Sequence, residues 1–210
     1  MKLVLLGFLW ICWCAMHSLL IDFRVTDFIH QQLPRLIRYY RMLYNGVSLL
    51  TLVPLALFTR LVGGEVVFGW QGRTVLCRTL LLAAALALFL AGAKRYDLRH
   101  FLGLRQLQSG EGQLLLSDSP DFSETGVFGM TRHPWYLGSL LLIWSMLPQY
   151  PLSAFLAAVV LSIYIVVGTF LEERKILARY GDAYRYYQQR VSMLFPWKWL
   201  KRKMQEVLSL

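Results

Sequence analysis

The chain has 210 residues, of which 57% are hydrophobic and 16% are charged, and its mean hydropathy is +0.47. Soluble domains are about half apolar and about a quarter charged, so this composition argues against a soluble protein and indicates a membrane protein. The net charge of +10 would suit either nucleic acid or anionic lipid as a partner. The long apolar runs favour lipid, and the sequence has no nucleic-acid-binding signature.

Five apolar runs are candidates for membrane-spanning helices, each of which needs about 20 mostly apolar residues. They are Leu3–Ile21, Met42–Leu61, Val75–Ala93, Trp135–Leu147 and Leu152–Leu171. The fourth run is short, and only residues 148–151 separate it from the fifth, which predicts a tight helical hairpin. We therefore expect an all-α polytopic membrane protein with about five transmembrane helices.

The basic residues are distributed unevenly among the connections between these runs. Eighteen of the 22 Lys and Arg residues lie in the first loop, the third loop and the C-terminal tail, and four lie at the N-terminus and in the second loop. The positive-inside rule therefore predicts an external N-terminus and a cytoplasmic C-terminus.

Two polar segments flank the last two runs. Residues 109–125 are rich in Gly, Ser and Thr and carry four acidic side chains, which predicts a flexible acidic loop. The C-terminal tail interleaves Tyr, Phe and Trp with Arg and Lys, a composition typical of an amphipathic segment at a membrane surface. The three cysteines show neither a CxxC motif nor metal-ligand spacing, which argues against a disulfide framework or a zinc site.

Ionisable side chains collect where the fourth and fifth runs reach the predicted cytoplasmic side. Arg132 and His133 precede Pro134, a residue that suits the first turn of a helix. His133 and Tyr136 are three residues apart and should share a helix face. Glu172 and Glu173 follow the fifth run and should end its helix. Because the hairpin would make the two helices antiparallel neighbours, we expect both groups to meet.

Simpler interpretations of these residues remain open. Arg132 could reach a lipid phosphate, and the two glutamates could be solvated or pair with the basic residues that follow them. His17, which lies inside the first run, is more typical of a packed histidine than of a ligand. We favour a functional site at the Arg132 and Glu172 group, because ionisable residues at membrane depth usually serve function and both signs of charge arrive there.

Two motifs in register resemble those of a known superfamily. The stretch RHPWY, Arg132 to Tyr136, is followed by Gly138 and resembles the RHPxYxG element of isoprenylcysteine carboxyl methyltransferases and their bacterial membrane relatives. The segment from Glu172 to Pro196 is similar to the EE-x-x-L-x-x-x-F-G-x-x-Y-x-x-Y-x-x-x-V pattern of the same proteins. In the first half, residues 40–45 and 96–107 look like segments of NnrU-type proteins and methanethiol S-methyltransferases.

The resemblance implies one integral-membrane methyltransferase domain over residues 1–210, in a bacterial inner membrane. Within it, residues 1–107 would form a three-helix part, 108–125 an acidic loop, 126–196 the motif region and 197–210 a basic tail. The implied cofactor is S-adenosylmethionine, bound at the cytoplasmic side. The sequence contains no strand–GxGxxG–helix unit that would indicate a Rossmann site.

The resemblance also implies roles for individual residues. The implied cofactor-binding residues are His133, Tyr136, Glu172, Glu173, Tyr184 and Tyr187. The implied catalytic residues are Glu172, Glu173 and Arg132, with Arg132 facing the acceptor or the cofactor carboxylate; His17 is a further candidate base. The implied partners are the lipid bilayer and a small-molecule or lipophilic acceptor, with neither a metal nor a nucleic acid. Trp135 is interpreted as a lipid-facing residue, and Phe128 stands where the family commonly has a tyrosine.

These residue types suit methyl transfer from a sulfonium cofactor. Arginine can bind a carboxylate through two hydrogen bonds, and aromatic faces attract a sulfonium cation. We expect transfer to a small thiol or lipophilic nucleophile. A carboxyl O-methyltransferase of a prenylcysteine-like substrate and a non-catalytic NnrU-type protein remain alternatives. A haem or ion-conducting protein is disfavoured, because His17 is the one histidine inside an apolar run.

Overall fold

The computed structural model describes residues 1–33, 35–94, 102–104, 122 and 124–209. Its helices are α1 (Lys2–Leu20), α2 (Phe23–Gln32), α3 (Ile37–Val62), α4 (Thr74–Ala93), α5 (Pro134–Ser145), α6 (Leu152–Tyr180), α7 (Asp182–Arg190) and α8 (Trp197–Leu208). The described strands are β1 (Val66–Gly69) and β2 (Gln149–Pro151), and a 3-10 turn covers Gly126–Gly129. The predicted all-α membrane architecture is confirmed.

Four helices within the described ranges are long and apolar enough to cross a bilayer. They cover Lys2–Leu20, Arg38–Val62, Thr74–Ala93 and Leu152–Tyr180, and they coincide with four of the five predicted spans. The remaining predicted span forms α5, which has 12 residues. A helix of that length is about 18 Å long, whereas the hydrocarbon core is about 30 Å thick. Helix α5 is therefore too short to span the bilayer by itself.

Helix α6 is longer than its apolar run predicts. The run Leu152–Leu171 places the helix end at Glu172 and Glu173, but the helix continues to Tyr180. Gly181 follows with φ of 54°, a conformation that glycine adopts without steric cost, and α7 then begins at Asp182. The prediction that the two glutamates end the helix is wrong, since charged residues at the surface continue a helix as readily as apolar ones. They lie about two turns before its end.

The connection between α5 and α6 contains a strand that the sequence did not predict. Strand β2 pairs antiparallel with β1, and Phe68 lies opposite Tyr150. The two rings are 5.6 Å apart between centroids, and Tyr150 is fully buried. The connection is short, as predicted, but its backbone hydrogen bonds go to a segment about 80 residues earlier in the chain, a pairing that local sequence patterns do not reveal.

The chain divides into two compact units, each assembled from segments that are distant in sequence. The first comprises the described residues within 1–69, 96–118 and 149–161, and the second those within 70–95, 119–148 and 162–210. In the first unit α1 packs on α3 through a polar seam. Trp10 donates to Thr59 at 3.0 Å, and the ring of His17 lies 2.9 Å from the Ser48 hydroxyl and stacks on Trp13.

In the second unit α4 and α5 approach closely at glycine residues. A Cβ atom on Gly138 would lie 3.3 Å from the carbonyl oxygen of Ala85, and one on Gly92 would overlap the indole of Trp135. Trp135 donates its ring N–H to the carbonyl of Phe89 at 3.1 Å. The interpretation of Trp135 as a lipid-facing residue is therefore wrong, because the absence of a side chain on Gly92 lets the indole reach the backbone of α4. Small residues allow membrane helices this proximity.

Replacement of Gly92 by alanine should destabilise the second unit. The added methyl group would displace the Trp135 ring and break its hydrogen bond to Phe89, at a cost of about 1–3 kcal/mol. The matched control is Gly168→Ala, because a Cβ atom at Gly168 in α6 meets nothing within 4 Å. Thermal unfolding of the purified protein in detergent should give a lower Tm for Gly92→Ala only. Equal Tm values for the two variants would contradict this packing.

Candidate functional site

The backbone in front of α5 is held by the segment that follows α7. Thr131 and Ser192 form a parallel β-bridge. The N–H of Arg132 donates to the Ser192 carbonyl at 2.9 Å, and the N–H of His133 donates to the Met193 carbonyl at 3.2 Å. Helix α5 begins at Pro134, as predicted, with His133 in the N-cap position. These bonds fix the backbone positions from which the side chains of Arg132 and His133 project.

Glu173 is the centre of the site and accepts hydrogen bonds from four side chains. Its Oε1 accepts from Arg132 Nε at 2.7 Å, His133 Nε2 at 2.9 Å and the Tyr184 hydroxyl at 2.7 Å, and its Oε2 accepts from Arg132 Nη2 at 2.6 Å and Gln188 Nε2 at 2.7 Å. A carboxylate offers about four lone-pair positions, so these five donors saturate it. The carboxylate can therefore bind no further donor unless one of the present ones leaves.

The guanidinium of Arg132 is buried with its partner, since the two side chains are 7% and 8% exposed. Two of its nitrogens bind Glu173 in a bidentate pair, and Nη1 donates to the carbonyls of Gln188, at 3.2 Å, and Val191. Burial opposes the charge, but the hydrogen bonds and charge of Glu173 outweigh it and raise the pKa of Arg132. All three nitrogens of this permanent cation therefore engage the protein itself.

The tyrosines of α7 join the buried cluster from the other side. Burial raises the pKa of Tyr184 and its bond to Glu173 raises it further, so this phenol remains a proton donor. Tyr187 donates to the carbonyl of Phe128 at 2.7 Å. The ring of Phe122 stacks on Tyr187 with 5.6 Å between centroids and an interplanar angle of 24°. The tail thus supplies an aromatic wall as well as hydrogen bonds.

Glu172 has a different environment from its neighbour Glu173. Its Oε2 accepts from the Tyr136 hydroxyl at 2.5 Å. The ring of Tyr136 stacks on His133, with 5.4 Å between centroids and an interplanar angle of 12°, as their shared face predicts. Within the described part of the chain, the Tyr136 hydroxyl is the only hydrogen-bond partner of Glu172. Glu172 is half-buried and keeps one carboxylate oxygen available.

The structure brings together the predicted site residues of α5, α6 and α7. Hydrogen bonds join Arg132, His133, Glu173 and Tyr184 into one cluster and Tyr136 to Glu172, while Tyr187 packs on Tyr184 with 6.0 Å between ring centroids. His17 belongs to the first compact unit instead. Of the predicted acidic loop 108–125, only Phe122, Glu124 and Thr125 fall within the described residues. Glu124 pairs with Arg190 at 3.1 Å and with Arg202 at 3.6 Å.

Two members of the cluster, Gln188 and Phe122, were not predicted from the sequence. Gln188 donates to Glu173, and it lies four residues after Tyr184, so the shared face of α7 could have identified it. Phe122 is an aromatic side chain in a segment otherwise rich in polar residues, a contrast that marks it as an anchor. Gln188 lies at a variable position of the second motif, and Phe122 lies outside both motifs.

Comparison with known proteins agrees with the motifs. The family model for phospholipid methyltransferases matches residues 80–183. Methanethiol S-methyltransferase 1 of Bradyrhizobium diazoefficiens is 44% identical over 79 residues, which cover 38% of this chain and 27% of that protein. Methanethiol S-methyltransferase 2 of the same organism is 31% identical over 137 residues, covering 64% and 52%. The methanethiol S-methyltransferase of Pseudomonas deceptionensis is 37% identical over 70 residues, which cover 33% of this chain and 26% of that protein.

The matches cover from about a quarter to about half of the length of these relatives. No solved structure matches the chain. The region that matches the family model contains both the Arg132–Tyr136 stretch and the paired glutamates, Glu172 and Glu173, whose side chains the fold joins. These matches support the resemblance of the chain to membrane methyltransferases and, among them, to the methanethiol S-methyltransferases.

Proposed function

We propose that the protein is an S-adenosylmethionine-dependent methyltransferase that transfers a methyl group to a small thiol at the cytoplasmic face of a bacterial inner membrane. The observation that carries the proposal is the pair of adjacent glutamates in unlike environments: Glu173 is saturated by buried donors, and Glu172 has one oxygen available. The similar proteins named as methanethiol S-methyltransferases support the thiol acceptor. The distribution of basic residues supports an external N-terminus and a cytoplasmic C-terminus.

The residues around Glu172 fit the chemistry of this cofactor. Its carboxylate could take the ammonium group or a ribose hydroxyl, and the stacked rings of His133 and Tyr136 offer an aromatic face to a cation. The hydroxyl of Tyr180 is buried and has no hydrogen-bond partner among the described residues. Since buried polar groups rarely remain unpaired, this hydroxyl is a further candidate for a bond to the cofactor. When bound, the cofactor supplies a methyl group on a cationic sulfur.

In this proposal Glu173 and Arg132 are positioning residues. Both are saturated by contacts within the protein, so they hold His133, Tyr184 and Gln188 in place and do not meet the acceptor. Methyl transfer requires nucleophile, methyl group and leaving sulfur in line, and well-aligned reactants can gain about 7–11 kcal/mol over free ones. A rigid, charge-neutral cluster behind the site provides that alignment.

A thiol must lose its proton for the sulfur to attack, because the thiolate is the nucleophile. Of the two glutamates, only Glu172 has an oxygen that could accept that proton without breaking an existing bond. We therefore assign to Glu172 the contact with the reacting groups, through the cofactor ammonium or through the thiol proton.

A phospholipid amine is a second candidate acceptor, because the matching family model is that of phospholipid methyltransferases. An amine attacks in its uncharged form, whereas a thiol must first lose its proton and become a thiolate. It would reach the site from the bilayer, whereas a small thiol could enter from water. A non-catalytic protein that retains the fold would bind no methyl donor.

The two glutamates should respond differently to neutralisation in stability measurements. Glu173→Gln removes the charge that pairs with buried Arg132, and an unpaired buried charge costs roughly 3–5 kcal/mol. Glu172→Gln retains an oxygen that accepts from Tyr136 and should cost less than about 1 kcal/mol. Thermal unfolding in detergent should therefore give a markedly lower Tm for Glu173→Gln alone. Similar Tm values would argue against the saturated cluster.

Binding of S-adenosylmethionine should show the reverse pattern. Glu172→Gln and Tyr136→Phe remove groups on the proposed cofactor face, and loss of a hydrogen bond to a charged group weakens binding by roughly 10- to 100-fold. Calorimetry on the folded protein in detergent measures this change, with Arg185→Gln on the exposed side of α7 as control. The proposal fails if folded wild-type protein binds no cofactor.

An acceptor screen with methyl-labelled cofactor would identify the nucleophile. We expect label transfer to volatile thiols such as methanethiol, and loss of that transfer in Glu172→Gln. Prenylcysteine mimics and phospholipids with primary amines are the comparison substrates. Transfer to a phospholipid in place of a thiol would reject the thiol acceptor and retain the methyltransferase.

A further inference from the structure

Helix α8 is amphipathic, but its orientation is the opposite of that in a soluble protein. A surface helix normally turns its apolar stripe toward the core and its charges toward water. In α8 four apolar side chains, Trp197, Met204, Val207 and Leu208, are 65%, 63%, 70% and 83% exposed, whereas Trp199 and Leu200 are half-buried. The less exposed side of the helix carries two cations, Lys198 and Arg202. In water this arrangement would leave a continuous apolar stripe uncovered.

The two inward cations bind carbonyl groups of the site. Lys198 Nζ donates to the carbonyls of Gln188 and Gln189 at 2.7 and 3.0 Å, at the C-terminal end of α7, where a cation is favourable. Arg202 Nη2 donates to the carbonyl of Gly129 at 3.1 Å. The N–H of Lys198 also donates to the Ser192 hydroxyl at 3.0 Å. The cationic side of α8 is thus fixed on the protein, which leaves the apolar side outward.

Further cations border the apolar stripe. Successive residues of an α-helix are separated by about 100° around its axis, which puts Lys201 on one edge of the stripe and Lys203 on the other. Both are exposed, and Lys203 pairs with Glu206 at 2.6 Å. An apolar stripe flanked by lysines, with a tryptophan at its start, matches a helix that lies in the interface of an anionic membrane.

We propose that α8 docks on the surface of an anionic bilayer and thereby stabilises the end of α7. Its apolar stripe would enter the boundary between headgroups and acyl chains, and Lys201 and Lys203 would contact lipid phosphates. A second copy of the chain is a poorer partner, because a symmetric contact would bring equivalent lysines together. Four described helices of the same chain are long and apolar enough to cross a bilayer, which favours a lipid surface as the partner.

Helix α8 is linked to the buried cluster through a backbone carbonyl that accepts hydrogen bonds from both. The carbonyl of Gln188 accepts from both Lys198 of α8 and Arg132 of the buried cluster, and the side chain of Gln188 donates to Glu173. A bilayer that holds α8 in place therefore also holds the last turn of α7, which supplies the Gln188 donor of that cluster. Lipid charge should affect the order of this turn whether or not the proposed methyl transfer is correct.

The test uses the full chain in nanodiscs of phosphatidylcholine alone or of phosphatidylcholine mixed with phosphatidylglycerol, with brominated acyl chains as quenchers. The emission of Trp197 is obtained by subtracting the fluorescence spectrum of Trp197→Phe from that of the wild type. We expect stronger quenching of Trp197 in the anionic discs. Lys201→Glu should weaken that preference by at least about fivefold, because one surface cation contributes roughly that factor.

Arg185→Glu is the matched control, because it makes the same charge change at an exposed residue of α7 outside the apolar stripe. It should leave the preference for anionic discs intact. A second variant, Val207→Asp, puts a charge in the stripe and should reduce quenching in both kinds of disc. Hydrogen exchange of residues 187–191 provides the coupling readout, and we expect slower exchange in anionic discs.

Three outcomes would overturn the proposal. The first is equal quenching of Trp197 in the two kinds of disc, and the second is an equal effect of Lys201→Glu and Arg185→Glu. The third is protection of Trp197 from brominated lipid together with dimerisation that Val207→Asp abolishes, which would identify a second copy as the partner. None of these readouts requires methyl transfer, so failure of the docking proposal is distinguishable from failure of the proposed function.

Discussion

The buried carboxylate of Glu173 is the interaction on which the arrangement of the site depends. A buried charged group is costly unless it is paired and fully hydrogen-bonded. Arg132 and His133 meet this requirement from the start of α5, and Tyr184 and Gln188 meet it from α7. The short helix α5, the end of α6 and the tail helix α7 therefore have to converge at one point. Their relative positions follow from a single charge that must be neutralised.

The neighbouring glutamate has a different environment because the same convergence leaves it outside the saturated cluster. Glu172 has one bond, from Tyr136, whose ring stacks on His133, a member of the cluster. A saturated carboxylate and a carboxylate with one oxygen available thus occupy adjacent positions in the chain. Under the proposed function, the saturated carboxylate would hold its neighbour in the alignment that methyl transfer requires. Helix α8 is connected to the same cluster, since Lys198 and Arg132 both donate to the carbonyl of Gln188.

Much of this architecture could be predicted from local patterns. The apolar runs predicted α1, α3 and α4 closely, because a spanning helix is defined by its own length and composition. Pro134 predicted the start of α5, and the interval between motifs predicted that Arg132 and the glutamates meet. The length of α6 could not be predicted, because its last turns are polar. The pairing of β1 with β2 and the contact of Trp135 with α4 depend on segments far away in the sequence.

By itself the sequence determined that the chain is a helical membrane protein, where four of its candidate spanning helices lie and which ionisable groups gather at one end of α5 and α6. These properties follow from hydrophobicity and spacing, which act within a segment. Only the tertiary structure decided which of the two glutamates is buried. Glu172 and Glu173 are chemically identical, but they point about 100° apart on α6. The positions of α5 and α7 bring five donor bonds to Glu173 and one to Glu172, and so distinguish a saturated carboxylate from one that keeps an oxygen available.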